Sequence, residues 1–192
     1  MPTFPRYQIR RATATDASGC AAVNRESWHT TYRGLIDDAA LQSMDPAVLQ
    51  ERWRNRLSPA NSALFCFVAT LQPDGDPAGD SAAAPLIVGY VMGGLSRHSD
   101  LPFSGELLAI YLLAEHQGKG LGRKLFLQCV QEFRQRAIDS FVLFVLKENH
   151  SARAFYSSFN PDFEDQGQVT IDGFTYQDIG YGWNDLRQFP TH

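Results

Sequence analysis

Between Ile110 and Leu125 the chain reads Ile-Tyr-Leu-Leu-Ala-Glu-His-Gln-Gly-Lys-Gly-Leu-Gly-Arg-Lys-Leu: a strand-like apolar run, glycines at 118, 120 and 122, then the start of a helical pattern. A strand that turns through glycines into a helix brings that helix's first-turn amides, which have no intrahelical partners, to the strand's end. Aligned peptide dipoles make the same end partly positive, so the turn is built to hold an anion. Glycines lack a Cβ and let a phosphate approach the main chain closely, while Lys119, Arg123 and Lys124 add cationic reach. Spacing excludes two phosphate motifs. A P-loop needs glycine, lysine and then serine or threonine where Arg123, Lys124 and Leu125 stand, and a dinucleotide fingerprint needs its third glycine at Arg123.

The flanking segments make this turn the centre of a β-α-β unit. Gly105 to Leu113 is strand-like, Gly118 to Arg136 is helix-like, and Ser140 to Lys147 is the nearly continuous apolar run expected of a strand buried on both faces. Upstream, Tyr7 to Ala12 alternates like a short strand, and Thr13, Thr15 and Asp16 offer caps to a helix whose Ala17, Cys20, Ala21, Asn24 and Trp28 share one face. Arg33-Gly34 ends that helix, and a second helical region between Asp37 and Leu57 is interrupted near Pro46. Leu64 to Thr70 and Leu86 to Met92 are strands by their β-branched and aromatic content, and the proline-, glycine- and alanine-rich segment 73–85 reads as an extended, mobile hairpin connection between them. Ser151 to Phe159 reads as a short helix ended before Pro161. Phe163 to Val169 and Phe174 to Trp183 form a closing hairpin across Asp172-Gly173.

At 192 residues the chain is sized for one domain, 1–192. Its net charge of −4 offers no chain-wide cationic surface for nucleic acid or anionic lipid, so neither partner is expected and a cationic or neutral small substrate fits better. Cys20, Cys66 and Cys129 are odd in number and lie in apolar stretches, which predicts buried free thiols. The five histidines show no ligand-like spacing, which predicts no metal. Without an apolar leader or a run of about 18 apolar residues, the expectation is a soluble, cytoplasmic protein.

Gln117-Gly-Lys-Gly-Leu-Gly122 fits the Gln/Arg-x-x-Gly-x-Gly/Ala signature of the GCN5-related N-acetyltransferases, and the chain resembles that family over most of its length, including some bacterial members. Ile9 to Ala12, Ile87 to Met92 and Asn149-His-Ser-Ala-Arg-Ala-Phe-Tyr156 carry the rest of the likeness. The resemblance implies an α/β (α+β) fold: a mixed, mostly antiparallel twisted sheet of about six to seven strands flanked by about four helices. It also implies acetyl-CoA as acyl donor, with Gln117, Gly118, Lys119, Gly120, Leu121, Gly122 and Arg123 at the diphosphate and the backbones of Ile110 and Leu112 along the pantetheine arm. An amide near Leu112 then polarises the thioester carbonyl. Ala114 stands where many members have proline, and Ser158-Phe-Asn-Pro161 replaces the usual Leu-Gly-Phe, so an unusual exit from that helix is expected.

By the same resemblance Tyr156 donates to the departing sulfur, although its place with Ala152, Phe155 and Phe159 on one helical face equally suits packing. Asn149 bonds the pantetheine arm or caps the helix, roles that can coexist. Glu106, four residues before Ile110 and so on its face in an unbulged strand, is the candidate base, acting through a water; a solvated strand-end carboxylate is the alternative. Trp28 and Tyr32, in Trp28-His-Thr-Thr-Tyr-Arg-Gly34, are candidate acceptor walls or simply core aromatics. The expected activity is transfer of acetyl to a primary amine of a metabolite, polyamine or amino acid. The alternatives are a protein N-terminal or lysine acetyltransferase and a non-catalytic CoA-binding sensor. Edge strands of the closing hairpin allow a homodimer.

Overall fold

The computed structural model describes residues 6–42, 45–61, 63–72 and 85–190; most of the expected 73–85 connection lies outside them. Seven strands form one sheet in the order β1-β2-β3-β4-β5-β7-β6. They are β1 (Tyr7–Arg11), β2 (Leu64–Leu71), β3 (Leu86–Leu95), β4 (Gly105–Leu112), β5 (Phe141–Leu146), β6 (Phe163–Ile171) and β7 (Phe174–Trp183). Only β4 and β5 run parallel; the other neighbours are antiparallel. The helices are α1 (Ala17–Tyr32), α2 (Asp38–Gln42), α3 (Pro46–Arg56), α4 (Leu121–Gln135) and α5 (His150–Ser157).

Period-two alternation sends the apolar side chains of the sheet to two main cores, one on each face, with a smaller cluster around Ile36, Leu41 and Leu146. Phe65, Phe67, Val91, Leu107, Leu143 and Ile179 meet α4 and α5 on one side, where Phe126 stacks on Phe159 with ring centroids 3.9 Å apart. Cys66, Val68, Tyr90 and Met92 meet α1 and α3 on the other, around Trp53. All three cysteines are buried free thiols, as expected.

The second helical region divides into α2 and α3, which raises the expected four helices to five; Pro46 takes the first position of α3, where its missing N–H costs nothing, and Asp45 accepts from the amides of Ala47 and Val48. Helix α4 starts at Leu121 rather than Gly118 because Gly118 (φ +70°) and Gly120 (φ +78°) are left-handed and cannot continue a right-handed helix. The unusual exit from α5 takes physical form at Asn160, which holds φ +50°, the left-handed conformation usual for glycine after a helix. The main-chain carbonyl of Phe159 then accepts from Trp183 Nε1 at 2.9 Å. The hairpin turn is Asp172-Gly173 with both φ values positive, as a two-residue type I′ connection requires.

Candidate functional site

The site begins where the sheet opens. Parallel pairing of β4 with β5 is limited to Gly105 with Phe141 and Glu106 with Val142, after which the two strands part. The register between β3 and β4 slips at the same place: Met92 faces Ala109 but Gly93 faces Leu107, leaving Leu108 as an extra residue. Leu108 and Ala109 therefore both turn toward the α1/α3 core, while Leu107 and Ile110 turn to the other.

Past the bulge, the amide of Leu113 bonds the carbonyl of Val88 on β3 at 2.9 Å. Strand alternation then directs the amides and carbonyls of Ile110 and Leu112 the other way, into the gap beside β5. That gap is a cavity of about 780 Å³, lined among others by Ile110, Leu112, Gly118, Gly120, Gly122, Arg123, Asn149 and Tyr156.

At one end of the gap lies the glycine turn. The amide of Gln117 is taken by the carbonyl of Ala114 at 3.1 Å, and main-chain bonding resumes only with Lys124 N to Gly120 O at 3.2 Å. Among the described residues, the amides of 118–123 make no hydrogen bond. A Cβ added at Gly118 or Gly120 would meet no atom within 4 Å of protein, so those directions are open, and one at Gly122 would lie 3.4 Å from the Phe155 ring. Six free amides at the start of α4, beneath two bare glycines, fit a diphosphate.

Individual side chains divide the labour there. Gln117 is exposed but not free: its Nε2 donates to the carbonyl of Leu112 at 3.0 Å and ties the turn to the end of β4. Lys119 folds back, its Nζ 2.7 Å from the carbonyl of Glu115, and Leu121 is buried in the core, so both present amides rather than side chains. Arg123 lines the cavity with its guanidinium 5.1 Å from the Phe159 ring centre.

Deeper in the gap, Asn149 caps α5, its side chain accepting from the amide of Ala152 at 3.2 Å. Tyr156, about two turns further along the same helix, is 7% exposed and its hydroxyl has no hydrogen-bond partner among the described residues. Burial pushes its phenol well above the ordinary value, so it is a neutral O–H donor at any physiological pH.

On the opposite side of β4 a second cavity, of about 650 Å³, is enclosed by α1, α3, the strands and the tip of the β6–β7 hairpin. Leu108, Ala109 and Tyr111 line both cavities, so the two meet at the bulge. Trp28 lines the second cavity; Tyr32 lines the first, packs on Trp28 at 4.9 Å and shares a 2.9 Å hydrogen bond with the Tyr111 hydroxyl. The two expected wall residues thus touch each other but line different cavities, linked to the junction through Tyr111.

Glu106 departs from expectation. The bulge at Leu108 breaks the alternation, so Glu106 faces the α1/α3 side and Ile110 the other. It is buried, and its oxygens accept from Arg97 Nη2 (2.6 Å), Nε (2.9 Å) and main-chain N (3.2 Å), with His98 Nε2 at 3.7 Å. This is a buried, ion-paired carboxylate rather than a solvated one.

The sequence profile of the acetyltransferase (GNAT) family matches residues 25–160, most of the chain, and spans the bulged strand, the glycine turn and Tyr156. The chain belongs to this family. An uncharacterised N-acetyltransferase of Bacillus subtilis, YuaI, is 30% identical over 95% of this chain and 96% of its own length. A spermidine N(1)-acetyltransferase of Thermoplasma acidophilum is 23% identical over 78% of this chain and 84% of its own. Among solved structures, the PaiA N-acetyltransferase of Thermoplasma acidophilum, crystallised with coenzyme A, superposes with a TM-score of 0.67 at 20% identity, covering 93% of this chain and 99% of that one; it shares the fold.

Several residues of this acetyltransferase's two cavities escape sequence reading. Tyr111 and Ala109 look like ordinary strand residues, and only the bulge reveals that they border both cavities. Arg52 and Arg56 carry a legible signal, two like charges at i, i+4 on one helix, a spacing that costs stability unless something offsets it. Among the described residues no cluster of three or more His, Cys, Asp or Glu is placed to hold a metal, and no helix is long and apolar enough to cross a membrane.

Proposed function

We propose that the protein transfers an acetyl group from acetyl-CoA to a primary amine of a small molecule. The observation that carries this reading is the continuous path from the unpaired amides of 118–123, along the β4 edge at Ile110 and Leu112, to the Tyr156 hydroxyl. Acetyl-CoA would supply an acyl group already activated as a thioester. The turn holds the diphosphate, and the exposed edge of β4 pairs with the pantetheine amides as a neighbouring strand would. A slot-facing amide near Leu112 is placed to donate to a carbonyl oxygen as it gains charge, an interaction worth about 3 kcal/mol in comparable sites. Tyr156, kept neutral by burial, gives the leaving sulfur a hydrogen bond as the acyl C–S bond breaks and the C–N bond forms, and the proton shed by the amine goes to the thiolate or to water.

The acceptor amine reaches the thioester from the second cavity, across Ala109 and Tyr111. Glu106 orients Arg97 in the wall of that cavity rather than taking a proton, because it is buried and its carboxylate is committed to the Arg97 guanidinium and main-chain amide. The nucleophile is then the unprotonated fraction of the amine, so kcat/KM rises with pH toward the ammonium pKa of about 10. Glu106→Gln leaves that limb in place; loss of the limb contradicts the assignment. The function itself is tested by acetyl-CoA-dependent acetylation across a panel of primary amines and peptides. Acetylation of a small amine supports it, acetylation of peptides alone contradicts the acceptor class, and CoA binding without turnover of any acceptor contradicts the enzyme.

A further inference from the structure

Resting on that reading, we infer that the acceptor is an amine bearing an anionic group, a carboxylate or a phosphate ester, which Arg52 and Arg56 hold at the α3 wall of the second cavity. Both arginines line that cavity, one helical turn apart on α3. Neither has a carboxylate partner among the described residues. The outward face of the same helix behaves differently: Arg54 pairs with Glu51 at 2.9 Å, i and i+3, in solvent. Charges that serve only solubility are thus balanced on α3, and the two facing the cavity are not. Placing them at i, i+4 costs repulsion that an anion between them would relieve.

The rest of the lining bears on the same conclusion. Arg56 sits with its guanidinium 5.5 Å from the Trp53 ring centre, which fixes a side chain otherwise free to swing. Asp45, also in the lining, caps the start of α3, its Oδ1 accepting from the amides of Ala47 and Val48, and makes no ion pair with either arginine. Asp172 lines the hairpin side, and Arg97 is neutralised by Glu106. The two arginines of the lining that have no carboxylate partner among the described residues therefore both stand on α3, in the cavity that Leu108, Ala109 and Tyr111 also line. A bifunctional acceptor spans that cavity with its anion at α3 and its amine at Ala109 and Tyr111. A polyamine would bring cations against Arg52 and Arg56, at a site whose guanidinium forks suit carboxylate or phosphate.

Steady-state acetylation by the full chain tests this with matched acceptors: an amino acid against its amide, phosphoethanolamine against ethanolamine, and spermidine. The anionic member of at least one pair is expected to have the higher kcat/KM, and which pair responds separates carboxylate from phosphate. Arg52→Ala and Arg56→Ala should each lower that preference by about ten- to a hundredfold, mainly through acceptor KM, the usual cost of losing a charged hydrogen bond. If Arg56→Ala does not fold, Arg56→Lys keeps the charge without the planar fork and should lower the preference less than Arg52→Ala. The double reversal Arg52→Glu/Arg56→Glu should shift preference toward spermidine. Equal or better turnover of the uncharged members and of spermidine by the wild type overturns the inference alone. Failure of every acceptor, with CoA still bound, overturns the transfer reading as well.

Discussion

Tyr156 and Asp16 show how burial and pairing set the chemistry of single residues here. Because burial raises the Tyr156 pKa, the phenol keeps its proton through any practical assay range, and no alkaline loss of rate below pH 10 belongs to it. Tyr156→Phe should lower kcat by about a hundredfold, with acetyl-CoA KM little changed; a variant as fast as wild type would make Tyr156 a packing residue only. Asp16 has the opposite sign. Its carboxylate takes Arg10 in two bonds of 2.7 and 2.8 Å, the main cause of a pKa below the ordinary value, with Thr13 N at 2.8 Å contributing. The stabilisation is therefore present above the ordinary pKa of 3.8 and lost as pH falls through the lower folded value. Asp16→Asn should cost about 1–2 kcal/mol at neutral pH, discounted because Arg10 is part-exposed. Denaturant unfolding should show that gap closing as acid protonates the wild type. Glu106 marks what residue spacing alone leaves illegible: its distance of four from Ile110 is correct, but one bulged residue between them reverses the face.

At the scale of elements, the turn and the helix it opens were legible because their chemistry is local. Glycines at 118 and 120 are demanded by φ of +70° and +78°, and the unpaired first-turn amides follow from helix geometry alone. Gly120→Ala should cost about 1 kcal/mol of stability and weaken CoA binding measurably by calorimetry; unchanged affinity would argue that these main-chain angles are not needed for the ligand. The parting of β4 and β5 is not local. It depends on which strand lies beside β4, on pairing that stops after Glu106, and on a bulge that an apolar run such as Leu107-Leu108-Ala109 does not announce. The division of labour within the turn was also hidden, since nothing in Gln117 or Lys119 as residue types says that their side chains brace the loop.

Across the whole molecule, two cores clamp one sheet, and the open seam between β4 and β5 passes from one side to the other. The separate elements and one β-α-β crossover are legible from hydrophobic period, whereas the mixed, mostly antiparallel sheet was implied by the family resemblance and the strand order is seen only in the structure. Phe126, fully buried and ringed by Phe141, Phe159 and Trp183, ties α4 to α5 and the sheet. Phe126→Ala should cost about 3–5 kcal/mol in denaturant unfolding; a loss under 1 kcal/mol would mean that this core repacks readily. Net charge was a poor guide at this scale, because −4 summed over the chain says nothing of two arginines in one cavity that have no carboxylate partner among the described residues. The grip of the 118–123 amides on a diphosphate is the claim on which function rests. Titrating 15N-labelled protein with CoA, and separately with pantetheine, reads those amides one by one. Saturable shifts at residues 118–123 with CoA but not with pantetheine are predicted; amides that stay unmoved while CoA is added to saturating concentration would contradict the account.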